Sequence, residues 1–274
     1  MAAASSWLEL GDLRIGCSGW AYKDWQGPFY PEGLAAKDYL RFYSKVFDCV
    51  EIDSSFYRVP NTFAVNQWRG STPPGFLFSP KLPKKITHEN KLKDSESSLL
   101  YFYSVLSKLK EKLGPIVVQL PPSVKLSSHL GVMKDFLSTL SPEFRHAVEF
   151  RHKSWFTPEV YTLLRGSNVA MVWSLNQYVE TPPEVTADFV YLRMVGDREL
   201  TEFTGVQRDR SEEMKRWAET LRETSGKFES GYVFFNNHFA GFSPASSNEF
   251  RRLLGLMERD WESQGGGQQT LFGA

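Results

Sequence analysis

The sequence predicts a single (β/α)8 barrel of the TIM type, an α/β fold, followed by a short tail. Three observations carry that prediction. A length of 274 residues suits one such barrel, for which roughly 250 residues is ordinary. Eight short β-branched or aromatic runs alternate with longer stretches of helical periodicity, the order that builds a parallel sheet with crossover helices. No Gly-, Pro- or Ser-rich linker and no tandem repeat divides residues 13–260, so these read as one domain and residues 261–274 as a flexible tail.

The elements follow in order. Residues 13–19 read as the first strand and 35–46 as its helix, with apolar residues at helical spacing. Residues 49–55 form the second strand and 63–69 a short helix. The third strand, 76–80, leads to a long helix over 97–113, which Gly114 closes. Residues 115–120 are the fourth strand and 130–140 its helix; 147–152 are the fifth. Pro158 falls in the first turn of the helix running to Leu164, where its missing N–H costs nothing. The sixth strand covers 168–174, and the connection after it, with Pro182 and Pro183, is irregular. Residues 188–195 are the seventh strand with its helix at 211–222; 231–237 are the eighth, and 248–257 the last helix.

Composition narrows the function classes. Lys plus Arg and Asp plus Glu both total 32, which excludes a globally basic nucleic-acid binder but leaves room for a local basic cleft. With 41% hydrophobic and 23% charged residues the chain can bury a large core. Aromatics reach 15%, and rings beyond the needs of a core commonly line a cleft. Two cysteines, Cys17 and Cys49, exclude a disulfide framework and a multi-cysteine zinc site; both are expected as buried free thiols. No apolar run approaches the roughly 20 residues of a membrane span, and residues 1–12 show no secretory pattern. The expectation is a cytoplasmic protein with no membrane partner.

Alternation along the strands selects the inward side chains. Val50 and Ile52 suit the helix layer, which turns Glu51 and Asp53 inward; Val148 and Phe150 do the same for Glu149 and Arg151. Val190, Leu192 and Met194 leave Tyr191 and Arg193 inside, and Lys81, Gln119, Asn236 and Asn237 fall at or beyond strand ends. Three acids, three bases and amides thus gather at the carboxyl-terminal mouth, where barrel active sites sit. Any one pair, Glu149 with Arg193 for instance, reads first as buried mutual neutralisation; the whole set reads as a ligand site. Arg58, beside Phe56 and Tyr57, adds a candidate phosphate contact. Trp20, Tyr22, Trp25 and Phe29 in the loop after the first strand, and Trp155 after the fifth, are candidate stacking rings, or else the small core of their own loops. His152 and His238 follow strand ends and count as ligand contacts. A divalent metal shared by these histidines and the carboxylates is the minority reading, because Arg151 and Arg193 would repel a cation. No cofactor is expected.

Several motifs stand together: Gly16-Cys-Ser-Gly-Trp20 with Tyr22, Trp25 and Phe29-Tyr-Pro31; Glu51-Ile-Asp-Ser-Ser-Phe-Tyr-Arg58; Gln119-Leu-Pro-Pro122; Glu149-Phe-Arg-His152 with Trp155; and Phe235-Asn-Asn-His238 with Pro244. As an ordered set the sequence resembles the YecE-like family, a domain of unknown function, over most of its body. The resemblance implies a TIM-type barrel with a polar cleft and no established reaction. An acidic residue is expected of such relatives at the end of the sixth strand, where this chain has Trp173-Ser174.

The functional expectation is a phosphate-bearing, nucleic-acid or nucleotide-like ligand at the mouth. Lys81, Arg151 and Arg193 would hold the anion, and Glu51, Asp53 or Glu149 would serve as catalytic acid or base. By fold analogy with barrel DNA-repair enzymes, phosphodiester hydrolysis heads the list. Two alternatives stay open: a non-catalytic nucleic-acid-binding adaptor, and a carbohydrate isomerase or hydrolase. The tail adds a partner. Gln268-Gln-Thr-Leu-Phe272, after three glycines, resembles peptides that dock on sliding clamps, with Gln268 as the amide anchor and Leu271 and Phe272 as the apolar anchors.

Overall fold

In the computed structural model, which describes residues 12–265, eight parallel strands form one barrel. They are β1 (Asp12–Ser18), β2 (Cys49–Ile52), β3 (Leu77–Pro80), β4 (Ile116–Gln119), β5 (His146–Glu149), β6 (Ala170–Asn176), β7 (Phe189–Gly196) and β8 (Ser230–Phe235). Consecutive strands pair in parallel register, β1 also pairs with β8, and the order runs β3-β2-β1-β8-β7-β6-β5-β4. Between β3 and β4 the ring closes through two single bridges, Phe78 with Leu113 and Lys81 with Val117. The eight strand segments read from the sequence all recur, with ends shifted by at most three residues.

Around them run α1 (Tyr39–Val46), α2 (Ser54–Tyr57), α3 (Thr62–Ser71), α4 (Glu96–Leu106), α5 (Leu126–Thr139), α6 (Pro158–Gly166), α7 (Ser211–Glu223), α8 (Asn237–Ala240), α9 (Ser243–Leu253) and α10 (Glu262–Gly265). α6 starts as its sequence dictates: Pro158 opens it, and the Thr157 hydroxyl accepts from the Val160 amide at 3.4 Å. The β6–β7 connection carries no helix, in keeping with its prolines. Among the described residues no helix is long and apolar enough to cross a membrane.

Two apolar layers follow from strand alternation. Val50, Ile52, Val148, Phe150, Val190, Leu192 and Met194 pack against the helices. Inside the barrel, Cys49, Val117, Ala147, Val172, Tyr191, Tyr232 and Phe234 fill the lower levels, so the polar set sits on a packed floor. In β6, Trp173 faces outward and stacks on Trp217, 5.9 Å between ring centres, while Ser174 is buried inside and accepts from Asn176 Nδ2 at 2.9 Å. The barrel body extends beyond residue 260. Trp261 donates its indole N–H to the Pro28 carbonyl at 3.0 Å and packs edge-on against Phe29, and the stretch read as a tail from residue 261 includes α10.

Candidate functional site

The carboxyl ends of β2, β4, β5 and β7 place one ion network at the centre of the mouth. Arg193 of β7 grips Glu51 of β2 with one edge of its guanidinium, Nε to Oε2 at 2.8 Å and Nη2 to Oε1 at 2.6 Å. Its Nη1 donates to Glu149 and to Gln119 Oε1, the latter at 3.4 Å. Glu51 also accepts from the Tyr191 hydroxyl at 2.8 Å and the Ser18 hydroxyl at 2.9 Å. Arg151 donates to Glu149 Oε1 at 2.8 Å and to Gln119 Oε1 at 3.1 Å. Lys81 pairs with Asp53 and reaches Gln119 Oε1 at 3.3 Å. Three acids and three bases therefore neutralise one another, with the Gln119 carbonyl accepting from all three cations.

Depth separates their roles. Glu51 and Glu149 are 0% exposed and Arg193 is 2% exposed, whereas the Asp53 side chain retains 31%. Burial alone would raise the Glu149 carboxyl, but the Arg151 and Arg193 guanidiniums overcome it and hold the group down to about 2. Burial works against the Asp53 anion as well, and Lys81 and Arg193 again keep the carboxyl below its usual range. For Arg193, burial favours neutrality, yet Glu51, Glu149 and Asp53 raise its pKa well above the ordinary value. Glu51 and Glu149 are thus occupied by strong donors. Asp53 is the carboxylate of the set that reaches the open cavity.

That cavity has a volume of about 420 Å³. Tyr22, Asp53, Lys81, Gln119, Arg151, Arg193, Asn236, Asn237 and His238, all candidates from the sequence, contribute to its wall. The Tyr22 hydroxyl donates to the Ser18 carbonyl at 2.7 Å, which pins the ring beside Trp25 and Phe203. Asn236 caps α8, accepting from the His238 amide at 3.1 Å. Asn237 uses Oδ1 to accept from the Ser243 amide and hydroxyl, while its Nδ2 is buried without a partner. His238 Nδ1 lies 2.8 Å from the Leu200 carbonyl, so it carries the proton and Nε2 is left as an acceptor. Burial holds this imidazole below its ordinary pKa, which keeps it neutral.

Other candidates lie elsewhere. Trp155 is fully buried, stacks on Phe150 and donates to the Val124 carbonyl at 2.8 Å; it belongs to the helix layer, not the mouth. Trp20 packs edge-on against Trp68 and Phe78, while Trp25 and Phe29 form a buried cluster with Tyr30 and Tyr43. Trp25 and Phe29 are therefore the loop's own core, Trp20 packs on α3 and β3, and Tyr22 faces the mouth. His152 accepts from the Ser154 amide at 3.2 Å and caps a turn of 3-10 helix. Arg58 sits on a neighbouring groove. The histidines and carboxylates of the metal reading do not converge: among the described residues no three His, Cys, Asp or Glu side chains gather in a metal-binding group. Gln268, Leu271 and Phe272 lie outside the described residues.

The mouth also contains residues that sequence reasoning passed over. Phe56, Tyr57, Val195, Arg198 and Phe203 line it, and Tyr178 lays its ring over the Arg151 guanidinium at 5.3 Å. Phe56 and Tyr57 stand inside a quoted motif, but their place on the wall depends on α2, the short helix that follows β2. Arg198, Phe203 and Tyr178 belong to loops with no periodic signal.

Residues 14–269 match the family described as Protein of unknown function DUF72. The chain belongs to that family. It is 30% identical over 156 residues to UPF0759 protein YecE of Escherichia coli (strain K12), a match covering 56% of this chain and 54% of the relative. The aligned part thus spans about half of that relative's length. UPF0759 protein YunF of Bacillus subtilis (strain 168) is 23% identical over 288 residues, 95% of this chain and 100% of the relative. A DUF72 structure from Thermotoga maritima superposes with a TM-score of 0.78 at 29% identity, covering 89% of this chain and 99% of the other. One from Enterococcus faecalis, at 18% identity and a TM-score of 0.71, has the same fold. The YecE-like resemblance and the barrel are both shown by these matches.

Proposed function

We propose that the barrel mouth of this DUF72 protein binds a phosphate-bearing ligand of nucleotide size. One observation carries the reading: among the described residues the cavity wall presents Lys81, Arg151, Arg193 and Arg198 against the single carboxylate Asp53. Glu51 and Glu149 lie beneath, where they hold Arg193 and Arg151 in place rather than meet the ligand. A volume of about 420 Å³ falls in the range of small-molecule sites. Amides at Gln119 and Asn236 and the Nε2 acceptor of His238 supply neutral polar contacts around the anion.

Phosphodiester hydrolysis is the reaction to test first. Asp53 is placed to take a proton from an attacking water, and Lys81 and Arg151 to meet charge growing on phosphate oxygens. Calorimetric titration with inorganic phosphate, nucleoside monophosphates, sugar phosphates and the parent sugars tests binding. Phosphate-bearing compounds should bind and Arg151→Ala should lose them; equal binding of an uncharged sugar would overturn the reading in favour of carbohydrate chemistry. Incubation with an aryl phosphodiester and with nicked or abasic DNA, with and without divalent metal, tests turnover. Binding without cleavage under every condition leaves an adaptor. The clamp-binding peptide at Gln268, Leu271 and Phe272 is proposed on sequence alone, and free buried thiols at Cys17 and Cys49 support a reducing, cytoplasmic setting.

A further inference from the structure

We propose that the groove beside the mouth is the track of a single-stranded nucleic acid, one nucleotide of which occupies the mouth itself. The proposal rests on the phosphate reading of the mouth and names the class of ligand. A second cavity of about 730 Å³ adjoins the first, and Phe56 and Tyr57 line both. Beyond those rings the groove is walled by Arg58, Lys84 and Lys85, with Glu89 the one acid among the described residues that line it. Among the described residues Arg58 and Lys85 have no carboxylate partner, and Lys84 approaches Glu89 only to 3.7 Å. Large rings stand open to solvent in the same place: Tyr57 is 76% exposed and Tyr101, on α4, is 58% exposed.

Cations interleaved with flat, exposed rings match a chain in which phosphates alternate with bases. The cations follow the backbone, and each ring offers a stacking face that any base can use. The mouth decides for a single strand. A recess of about 420 Å³ takes one nucleotide, not a base-paired step, so a duplex would have to give up a base to enter it. An acidic peptide would satisfy the lysines but has no use for two open tyrosines.

The test is fluorescence anisotropy on the full chain with labelled 12-nucleotide single-stranded DNA and RNA, beside calorimetry with a nucleoside monophosphate. The strand should bind at least tenfold tighter than the monophosphate, with an affinity that falls steeply as salt rises. Tyr101→Ala should weaken the strand by about 5- to 150-fold, the span for losing one base–ring stack, and leave the monophosphate unchanged. Lys84→Ala/Lys85→Ala should flatten the salt dependence; both variants alter exposed side chains, and unchanged melting temperatures would verify their folding. The DNA and RNA arms show which backbone is preferred. If the monophosphate binds and the strand binds no better, the groove proposal is overturned and the mouth reading stands. If the strand depends on Tyr101 while Arg151→Ala affects neither ligand, the mouth reading falls and the groove remains a strand site. A polyglutamate peptide that competes fully with the strand, together with indifference to Tyr101→Ala, overturns the nucleic-acid assignment.

Discussion

Arg193→Ala isolates the residue on which the ion network turns. Arg193 gives two hydrogen bonds to Glu51 and one to Glu149, and its Nη2 lies 3.5 Å from Asp53. Without it, three carboxylates face only Lys81 and Arg151. Glu51 keeps the Tyr191 and Ser18 hydroxyls, and Glu149 keeps Arg151, so neither is stripped of donors. The loss is one of charge, and orphaning a buried carboxylate costs about 3–5 kcal/mol. At about 2 °C per kcal/mol for a chain of this size, the melting temperature should fall by about 6–10 °C. The pH dependence should also change sign. In the parent, Glu149 titrates near 2 when folded against 4.5 when free. Its stabilising contribution is therefore complete above about pH 4.5 and is lost as the pH drops from there toward 2. In the variant a buried carboxylate without its cation has a raised folded pKa, so stability is highest in acid and declines as pH rises toward 7. Calorimetric melts of both proteins at pH 5 and pH 7 check this. A drop below about 2 °C at pH 7, or a variant that loses stability on going from pH 7 to pH 5, would refute the view that Arg193 is held for neutralisation.

Arg151→Ala should behave differently, because Glu149 keeps Arg193: a loss of about 1.5–3 kcal/mol by thermal melt, with phosphate-ligand affinity reduced at least tenfold by calorimetry. Asp53→Asn should abolish any turnover while leaving ligand affinity within a few-fold, measured on the same phosphodiester. Gly196→Ala should destabilise by about 1–3 kcal/mol, read by denaturant unfolding, since Gly196 has φ +75° and an added Cβ would collide with the His238 carbonyl. A peptide of residues 265–274 should bind the source organism's sliding clamp, and Leu271→Ala/Phe272→Ala should abolish the interaction by the same titration.

The fold and the inward side chains were legible because both follow from local periodicity. An apolar residue at every second position of β2, β5 and β7 must face the helices, and Glu51, Glu149, Tyr191 and Arg193 then have nowhere to go but inward. The same rule turns Trp173 out and Ser174 in. The loops were less legible, since a ring after a strand looks the same whether it covers a cleft or fills its own loop. Trp25 and Phe29 fill theirs, Trp20 packs instead on α3 and β3, and Trp155 on Phe150; of that group Tyr22 lines the cavity.

Sequence by itself determined which charged groups of the strands meet at the mouth, since strand alternation and a parallel barrel leave them no other arrangement; Arg198, on a loop, came only with the tertiary structure. Only the tertiary structure decided how deep each one lies, and depth sets its chemistry. Glu51 and Glu149 lie fully buried and are held by guanidinium and hydroxyl donors. Asp53, two residues further along than Glu51, rises past the end of β2 into the cavity. The groove that joins the mouth through Phe56 and Tyr57 is likewise a product of packing: α2, the turn at Lys84–Lys85 and α4 are distant in sequence, and no local pattern records that they share a wall.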